Sequence, residues 1–257
     1  MHEYPLIAKQ KDCQHDYIKY PLIIAGPCSI ENLEDMKEYC ELLLKNNIHY
    51  VRAALFKPRT SPHDFQGLQE VGLFILKKIK ELYPIKLVTE VTDSKQLELI
   101  QPYVDVIQIG ARNMQNFELL KKVGRTDKVI LLKRGFANTI DEWLGACEYL
   151  MENGNSQIIL CERGIRTFDS ELRNTLDLAG AVYTKQLTNL PVIIDPSHAT
   201  GRSSLIEPLS LATFSAGLDG VMIEIHKNPQ KALSDGAQSI TLPEFQQLVD
   251  KINKLIS

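Results

Sequence analysis

Lys57-Pro58-Arg59-Thr60-Ser61-Pro62 follows directly on the apolar run from Tyr50 to Phe56. Two cations and two hydroxyls on a loop stiffened by two prolines make a set of donors suited to an anion, above all a phosphate. Other strand-like runs also end in charged or metal-capable residues. Those ends supply Cys28, Arg52, Glu90, Arg112, Lys133 and Arg163, then Asp195 with His198 and Glu224 with His226. Chemistry placed at the end of strand after strand is the pattern of a barrel enzyme, whose strand ends converge on one mouth.

Arg52, Lys57, Arg59, Arg112, Lys133 and Arg163 come from four different strands or the loops after them. Such a set repels itself and is costly to desolvate without anions. A substrate with phosphate groups, or a phosphate and a carboxylate, relieves the repulsion, with Arg supplying a bidentate fork and Lys a point charge. Barrel closure makes the last two strands neighbours of the first, so Cys28, His198 and Glu224 are expected on adjacent staves, with Asp235 in the loop after strand eight. Thiolate, imidazole and two carboxylates suit a divalent transition metal. Taken singly each has an ordinary structural role, and only the barrel joins them. Glu90 can orient a water or share a proton, or can partner an arginine; the sequence leaves both open. Asp195 is expected to support His198 or clamp its loop, and His226 to support a ligand rather than bind the ion. Arg166 and Arg202, beyond the strand ends, either reach a distal phosphate or are solvated, with solvation favoured.

The elements that must position these groups are legible as alternation. Strands are predicted at Leu22–Cys28, Tyr50–Leu55, Lys86–Val91, Val106–Gly110, Val129–Lys133, Ile158–Cys161, Val192–Asp195 and Val221–Ile225. Most are continuous apolar runs, as parallel strands covered by helices require. Between them lie helical stripes: Leu33, Met36, Cys40, Leu43 and Leu44; Ile140, Trp143, Leu144, Cys147, Leu150 and Met151; and Leu242, Phe245, Val249, Ile252 and Ile256. Thr139 with Glu142, and Thr241 with Glu244, form capping-box patterns for the last two. The repeating βα unit predicts a single (β/α)8 barrel over residues 21–257, with residues 1–20 as an N-terminal extension capping the barrel bottom. A doubly wound sheet competes, but no Gly-rich dinucleotide turn follows the first strand.

The 257 residues match the usual barrel length of about 250. With 44% hydrophobic and 24% charged residues the composition is that of a soluble globular protein, and a net charge of −3 gives no reason to expect nucleic acid or an anionic membrane as partner. Cys13, Cys28, Cys40, Cys147 and Cys161 are odd in number and widely spaced, which argues against a disulfide framework. No run approaches the roughly 18 apolar residues of a membrane span, and residues 1–10 lack a signal-peptide core. A cytoplasmic protein is expected.

Gly-Pro-Cys-Ser-Ile-Glu at 26–31, Lys-Pro-Arg-Thr-Ser-Pro at 57–62, Phe-Gln-Gly-Leu at 65–68 and Ile-Gly-Ala-Arg-Asn-Met-Gln-Asn at 109–116 are followed by Leu-Lys-Arg-Gly at 132–135. Cys-Glu-Arg-Gly-Ile-Arg-Thr-Phe at 161–168, Asp-Pro-Ser-His-Ala-Thr-Gly at 195–201 and Ser-Asp-Gly-Ala-Gln at 234–238 complete the series. Jointly these segments resemble the 3-deoxy-D-arabino-heptulosonate 7-phosphate (DAHP) synthase family, in the short type I form related to 3-deoxy-manno-octulosonate 8-phosphate synthases. The resemblance implies condensation of phosphoenolpyruvate with erythrose 4-phosphate, the first step of the shikimate pathway to the aromatic amino acids. It implies one divalent metal (Mn²⁺, Fe²⁺, Zn²⁺, Co²⁺ or similar) on Cys28, His198, Glu224 and Asp235. It places phosphoenolpyruvate on Arg52, Lys57, Arg112, Lys133 and Arg163, and erythrose 4-phosphate beside Arg59, Thr60 and Asp235. Catalytic roles then fall to Lys57, for proton transfer, with Cys28, His198 and Glu90. A homo-oligomer, dimer or tetramer, is expected from barrels of this kind.

The relative with a five-carbon acceptor, arabinose 5-phosphate, typically has Lys-Ala-Asn-Arg-Ser where this chain has Lys57-Pro58-Arg59-Thr60-Ser61, and its metal-free branch carries Asn at the position of Cys28. Both differences favour the four-carbon acceptor and a metal. Ala53-Ala54 replaces a Gly-Gly pair common in the family, so tightening of the pocket or restriction of its motion is expected. The lack of the family's additional sensory domains predicts insensitivity to phenylalanine and tyrosine. Two further readings compete: a Schiff-base aldolase using Lys133 or Lys57, and a phosphometabolite-binding protein without catalysis.

Overall fold

The structure, a computed structural model, describes residues 4–10, 15–59 and 61–257. Eight parallel strands close in sequence order: β1 (Leu22–Gly26), β2 (Tyr50–Arg52), β3 (Lys86–Val91), β4 (Val106–Ile109), β5 (Val129–Lys133), β6 (Ile158–Glu162), β7 (Val192–Ile194) and β8 (Gly220–Glu224). All lie on the apolar runs that predict them. β4, β7 and β8 end one residue short of expectation, and β1 and β2 stop earlier still, for identifiable reasons. Pro27 has no N–H with which to extend β1. Beyond Arg52 the carbonyls turn from the ladder to local donors: Ala53 accepts from Thr89 Oγ1, and Ala54 from Ile30 N and Ser29 Oγ.

The helices are α1 (Pro5–Ala8), α2 (Leu33–Lys45), α3 (Leu73–Leu82), α4 (Ser94–Ile100), α5 (Phe117–Val123), α6 (Ile140–Glu152), α7 (Leu178–Leu187), α8 (Pro196–Thr200), α9 (Ile206–Ser215) and α10 (Leu242–Ile256). Both predicted capping boxes form, opening α6 and α10, so the first-turn N–H groups of each are satisfied locally. Strand alternation divides the core. Leu22, Ile24, Tyr50, Val88, Val106 and Met222 fill the barrel interior. Their neighbours Ile23, Ala25 and Val51 turn outward against Met36, Trp143 and Phe245 of the helices. Ile256, predicted on the buried stripe of α10, is instead exposed in its last turn. Cys28, Cys40, Cys147 and Cys161 are buried free thiols, and among the described residues no helix is long and apolar enough to cross a membrane. Cys13 lies outside the described residues.

The N-terminal segment does two things. Residues 4–8 lie along α6, where the Tyr4 hydroxyl donates to Asp141 Oδ1 at 2.6 Å and Ile7 N to Glu148 Oε1 at 2.8 Å. Residues 17 and 18 meet the first residues of several strands: Tyr17 donates to Ile158 O at 3.1 Å, its carbonyl accepts from Lys86 Nζ at 3.2 Å, and Ile18 joins the interior cluster. Ile18→Ala is expected to cost about 2 kcal/mol, measured by urea unfolding, as a truncated core residue does. A loss below about 0.5 kcal/mol, ordinary for a surface site, would show that this residue does not plug the barrel.

Candidate active site and metal centre

The strand order builds the donor cluster. β1 pairs with β8 so that Gly26 lies opposite Glu224, and Cys28 follows two residues on. His198 sits on α8, directly after β7. Asp195 caps this short helix, its Oδ1 accepting from His198 N at 2.9 Å while its Oδ2 lies 2.7 Å from His198 Nδ1. Asp235 arrives on the loop after β8 with φ +50°, a left-handed conformation uncommon for a side-chain-bearing residue. One donor atom from each of Cys28, His198, Glu224 and Asp235 lies within 4.8 Å of the others.

His198, Glu224 and Asp235 are held in forms that suit a cation. Burial pushes the pKa of His198 down to about 4 despite the pull of Asp195 and Glu224, so the ring is neutral near pH 7. With Nδ1–H donating to Asp195, the Nε2 lone pair is left facing the cluster, 3.2 Å from Glu224 Oε1. For Glu224, burial alone would raise the pKa. Neighbouring positive charge outweighs it, and with His198 neutral near pH 7 it is Arg52 and Lys57 that keep the carboxylate charged. Asp235 reaches about 2, since the Cys28 hydrogen bond and nearby cations overcome its desolvation. Burial, then the charge of Glu224, pushes the Cys28 thiol up to about 12 in the protein alone, with Sγ 3.1 Å from Asp235 Oδ2. A coordinating metal is what deprotonates such a thiol. The set of sulfur, imidazole nitrogen and two carboxylates fits a divalent transition metal.

Beside this cluster lies a cavity of about 100 Å³. Lys57, Arg59, Arg112, Lys133 and Arg163 line it, as the strand-end reading predicts. Arg52 does not. It is buried next to the cluster with Nη2 2.7 Å from Glu224 Oε1, and among the described residues its Nη1 has no hydrogen-bond partner. Lys133 Nζ pairs with Asp195 Oδ2 at 2.5 Å, and Arg59 reaches Asp235 Oδ2 at 3.3 Å and Asp64 at 3.4 Å. For buried Lys57, desolvation works to lower the pKa, but Cys28, Glu90 and Glu224 prevail and raise it. Glu90 is buried in the wall and accepts from Gln108 Nε2 at 3.2 Å. A Cβ on Gly110 would meet Glu90 Oε1 at 2.0 Å, so only glycine leaves this carboxylate its place. Thr60 lies outside the described residues.

Several expectations are corrected. Ala53 and Ala54 are buried but absent from the cavity wall, so their methyls do not tighten the pocket. His226 turns from the donor cluster to Glu31 Oε1, 3.4 Å away, because the chain leaves the β8 ladder at Glu224. Arg202, for which solvation is favoured, is indeed exposed and donates to Glu171 O at 2.8 Å. Sequence reasoning also missed Arg173, which lines the cavity from the long β6–α7 connection and donates to Gln238 Oε1 at 2.6 Å. Gln238, nearly fully buried, passes a 2.6 Å hydrogen bond on to Glu224 Oε2. A strand-end rule cannot reach either residue; the length of their loops was the available signal.

The model of the DAHP synthetase I family matches residues 14–257. The chain belongs to that family. It is 47% identical over 236 residues to a phospho-2-dehydro-3-deoxyheptonate aldolase of Thermotoga maritima, covering 92% of this chain and 70% of the relative. A crystal structure of the Thermotoga maritima DAHP synthase superposes with a TM-score of 0.87 at 47% identity, covering 91% of this chain and 68% of that one. A 2-dehydro-3-deoxyphosphooctonate aldolase of Desulfotalea psychrophila is more distant, at 31% identity over 252 residues, 91% of this chain and 89% of the relative. Family membership raises the significance of Asp195, which orients His198 while touching Lys133. Asp195→Asn is expected to weaken binding of Mn²⁺ or Zn²⁺ by about 10- to 100-fold in equilibrium dialysis. Unchanged affinity would remove Asp195 from any part in metal binding.

Proposed function

We propose that this chain condenses phosphoenolpyruvate with erythrose 4-phosphate and water, giving 3-deoxy-D-arabino-heptulosonate 7-phosphate and inorganic phosphate at the start of the shikimate pathway. The carrying observation is the convergence of five predicted anion-binding cations on one cavity beside the four-donor cluster, in a chain of this family. Arg112, Lys133, Arg163, Lys57 and the unpartnered N–H of Arg52 serve phosphoenolpyruvate, whose phosphate and carboxylate both call for cations. Arg59, with Thr60 and Asp235, serves the aldose phosphate.

Carbon–carbon bond formation joins the methylene carbon of phosphoenolpyruvate to the aldehyde carbon of the sugar. Positive charge then develops at the carbon bearing the enol oxygen, water adds there, and the hemiketal phosphate expels phosphate. The cations hold the two reactants together and stabilise the negative charge growing on the aldehyde oxygen and the leaving group. Lys57, its pKa raised, retains its proton and is placed to donate it to the aldehyde oxygen. Glu90, fixed by Gln108, is placed to take the proton that the added water loses. A divalent metal on Cys28, His198, Glu224 and Asp235 would supply a Lewis acid for the aldehyde or the water. The same features weaken an imine mechanism. Lys57 is held charged and Lys133 lies on a carboxylate, so neither presents a free amine.

The reading extends to a cytoplasmic homo-oligomer, dimer or tetramer. A second reading, arabinose 5-phosphate as acceptor, rests on the 31% identity with the phosphooctonate aldolase. Phosphate release is the decisive measurement. Erythrose 4-phosphate is expected to support turnover, with kcat/KM at least about tenfold above that of arabinose 5-phosphate. A chelator should abolish turnover and Mn²⁺ restore it; full activity after chelation, or preference for the pentose, would overturn the assignment. Lys57→Met is expected to lower kcat about 100-fold or more, and a variant with wild-type kcat would remove Lys57 from proton transfer.

A further inference from the structure

Phe136, on the loop between β5 and α6, carries three guanidinium groups over its ring. The Cζ atoms lie 4.6 Å from the ring centroid for Arg163, 5.1 Å for Arg166 and 5.3 Å for Arg112. These arginines come from the segments after β4 and β6, on either side of the loop that carries Phe136. The ring also lines the cavity. Its mounting is rigid. The backbone N–H of Arg166 donates to Phe136 O at 2.7 Å. Arg134, two residues before the ring, is buried and reaches Asn138 O at 3.0 Å, Glu162 Oε2 at 3.1 Å and Asp177 Oδ2 at 2.8 Å. Gly135 N–H meets Met114 Sδ at 3.1 Å.

Three cations around one phenyl ring repel one another, and proteins usually offset that repulsion with carboxylates. Other cations at this mouth follow that rule: Arg52 lies on Glu224, Lys133 on Asp195 and Arg59 on Asp235. Arg163 departs from it. The hydrogen bonds of its guanidinium go to backbone carbonyls, Gly164 O at 3.3 Å and His198 O at 3.0 Å. Among the described residues neither Arg163 nor Arg166 has a carboxylate within ion-pair distance. A carboxylate would compete with an incoming anion for the same N–H groups. An aromatic face attracts a guanidinium through its quadrupole and leaves the charge and the in-plane donors available.

We infer that Phe136 is a positioning residue of the phosphoenolpyruvate subsite: it arrays Arg112, Arg163 and Arg166 without neutralising them, and Arg166 is a further cation of that subsite. The inference rests on the function proposed above. It deepens that reading by adding two residues: Phe136, which lines the cavity, and Arg166, which is exposed and outside the residues that line it but rests on the same ring.

The test is calorimetric binding of phosphoenolpyruvate alone, with steady-state kinetics on the same proteins and thermal unfolding as a check on folding. Phe136→Leu, which keeps apolar bulk and removes the quadrupole, is expected to weaken phosphoenolpyruvate binding about tenfold, the size of two or three partly exposed cation–π contacts. Phe136→Tyr, which keeps the ring, should remain within about twofold of wild type, and the KM for erythrose 4-phosphate should change less than about twofold in both variants. Arg166→Met should weaken phosphoenolpyruvate binding about three- to fivefold with kcat little changed. If Phe136→Leu does not fold, Phe136→Tyr and Arg166→Met decide. Wild-type affinity in Phe136→Leu or in Arg166→Met, or an equal rise in both KM values, overturns the inference alone. Failure of the wild type to bind phosphoenolpyruvate overturns the proposed function with it.

Discussion

β1 and β8 run five residue pairs in parallel register, from Leu22 with Gly220 to Gly26 with Glu224, and the chemistry at the mouth depends on that seam. A Cβ at position 220 would lie 1.9 Å from the Leu22 carbonyl oxygen, so glycine is required for the last strand to reach the first. With the seam closed, Glu224 meets the chain leaving β1, and Cys28 and Asp235, 207 residues apart in sequence, come into hydrogen-bond contact. A slip of one residue would turn Glu224 to the other face of the sheet and exchange it for an apolar neighbour. The donor cluster is therefore a product of strand register more than of any local motif.

Register also makes the cluster and the cationic wall a single electrostatic unit. Glu224 faces His198, Arg52 and Gln238; Asp195 faces His198 and Lys133; Asp235 faces Cys28 and Arg59. Every one of these acids answers to a donor residue and to a cation at once. Removing one partner of a buried ion pair leaves the other charge uncompensated, at a cost of about 3–5 kcal/mol. Substitutions here are thus expected to couple rather than add. The acids restrain the cations nearest the donors. Those farther out, around Phe136, lie over a ring, and among the described residues Arg163 and Arg166 have no carboxylate within ion-pair distance.

Most of the barrel was legible because strand and helix periods are written in apolar residues, and burial on both faces leaves β1 to β8 as short unbroken runs. Cys28, His198, Glu224 and five of the wall cations were legible for the same reason: they stand at or shortly beyond those runs, whereas Asp235, farther along the loop after β8, was joined to them by the family's motif. What lay farther along a loop was not. Arg173 and Gln238 sit in segments without periodicity, and no spacing rule ties either to Glu224. Phe136 resembles any loop aromatic until three arginines from neighbouring connections are placed on it. Arg52 stands at a strand end as the rule asks, but its side chain pairs with Glu224 beside the donor cluster and is not among the residues that line the cavity.

Ala53 and Ala54 show how position within the fold decides what a substitution does. Glycine is favoured where backbone must adopt a positive φ or approach a neighbour closely, and neither residue has a positive φ. Their carbonyls are held by Thr89, Ser29 and Ile30, and their methyls are packed away from the substrate cavity. At such sites alanine in place of glycine stabilises by about 0.4–1 kcal/mol each, chiefly by restricting the unfolded chain. The added methyls therefore act on the segment that leads into Lys57 and Arg59 and leave the cavity's volume alone. Stiffening that approach serves Lys57 directly. A buried ammonium whose charge is supported by the Glu90 and Glu224 carboxylates loses that support as soon as its loop drifts.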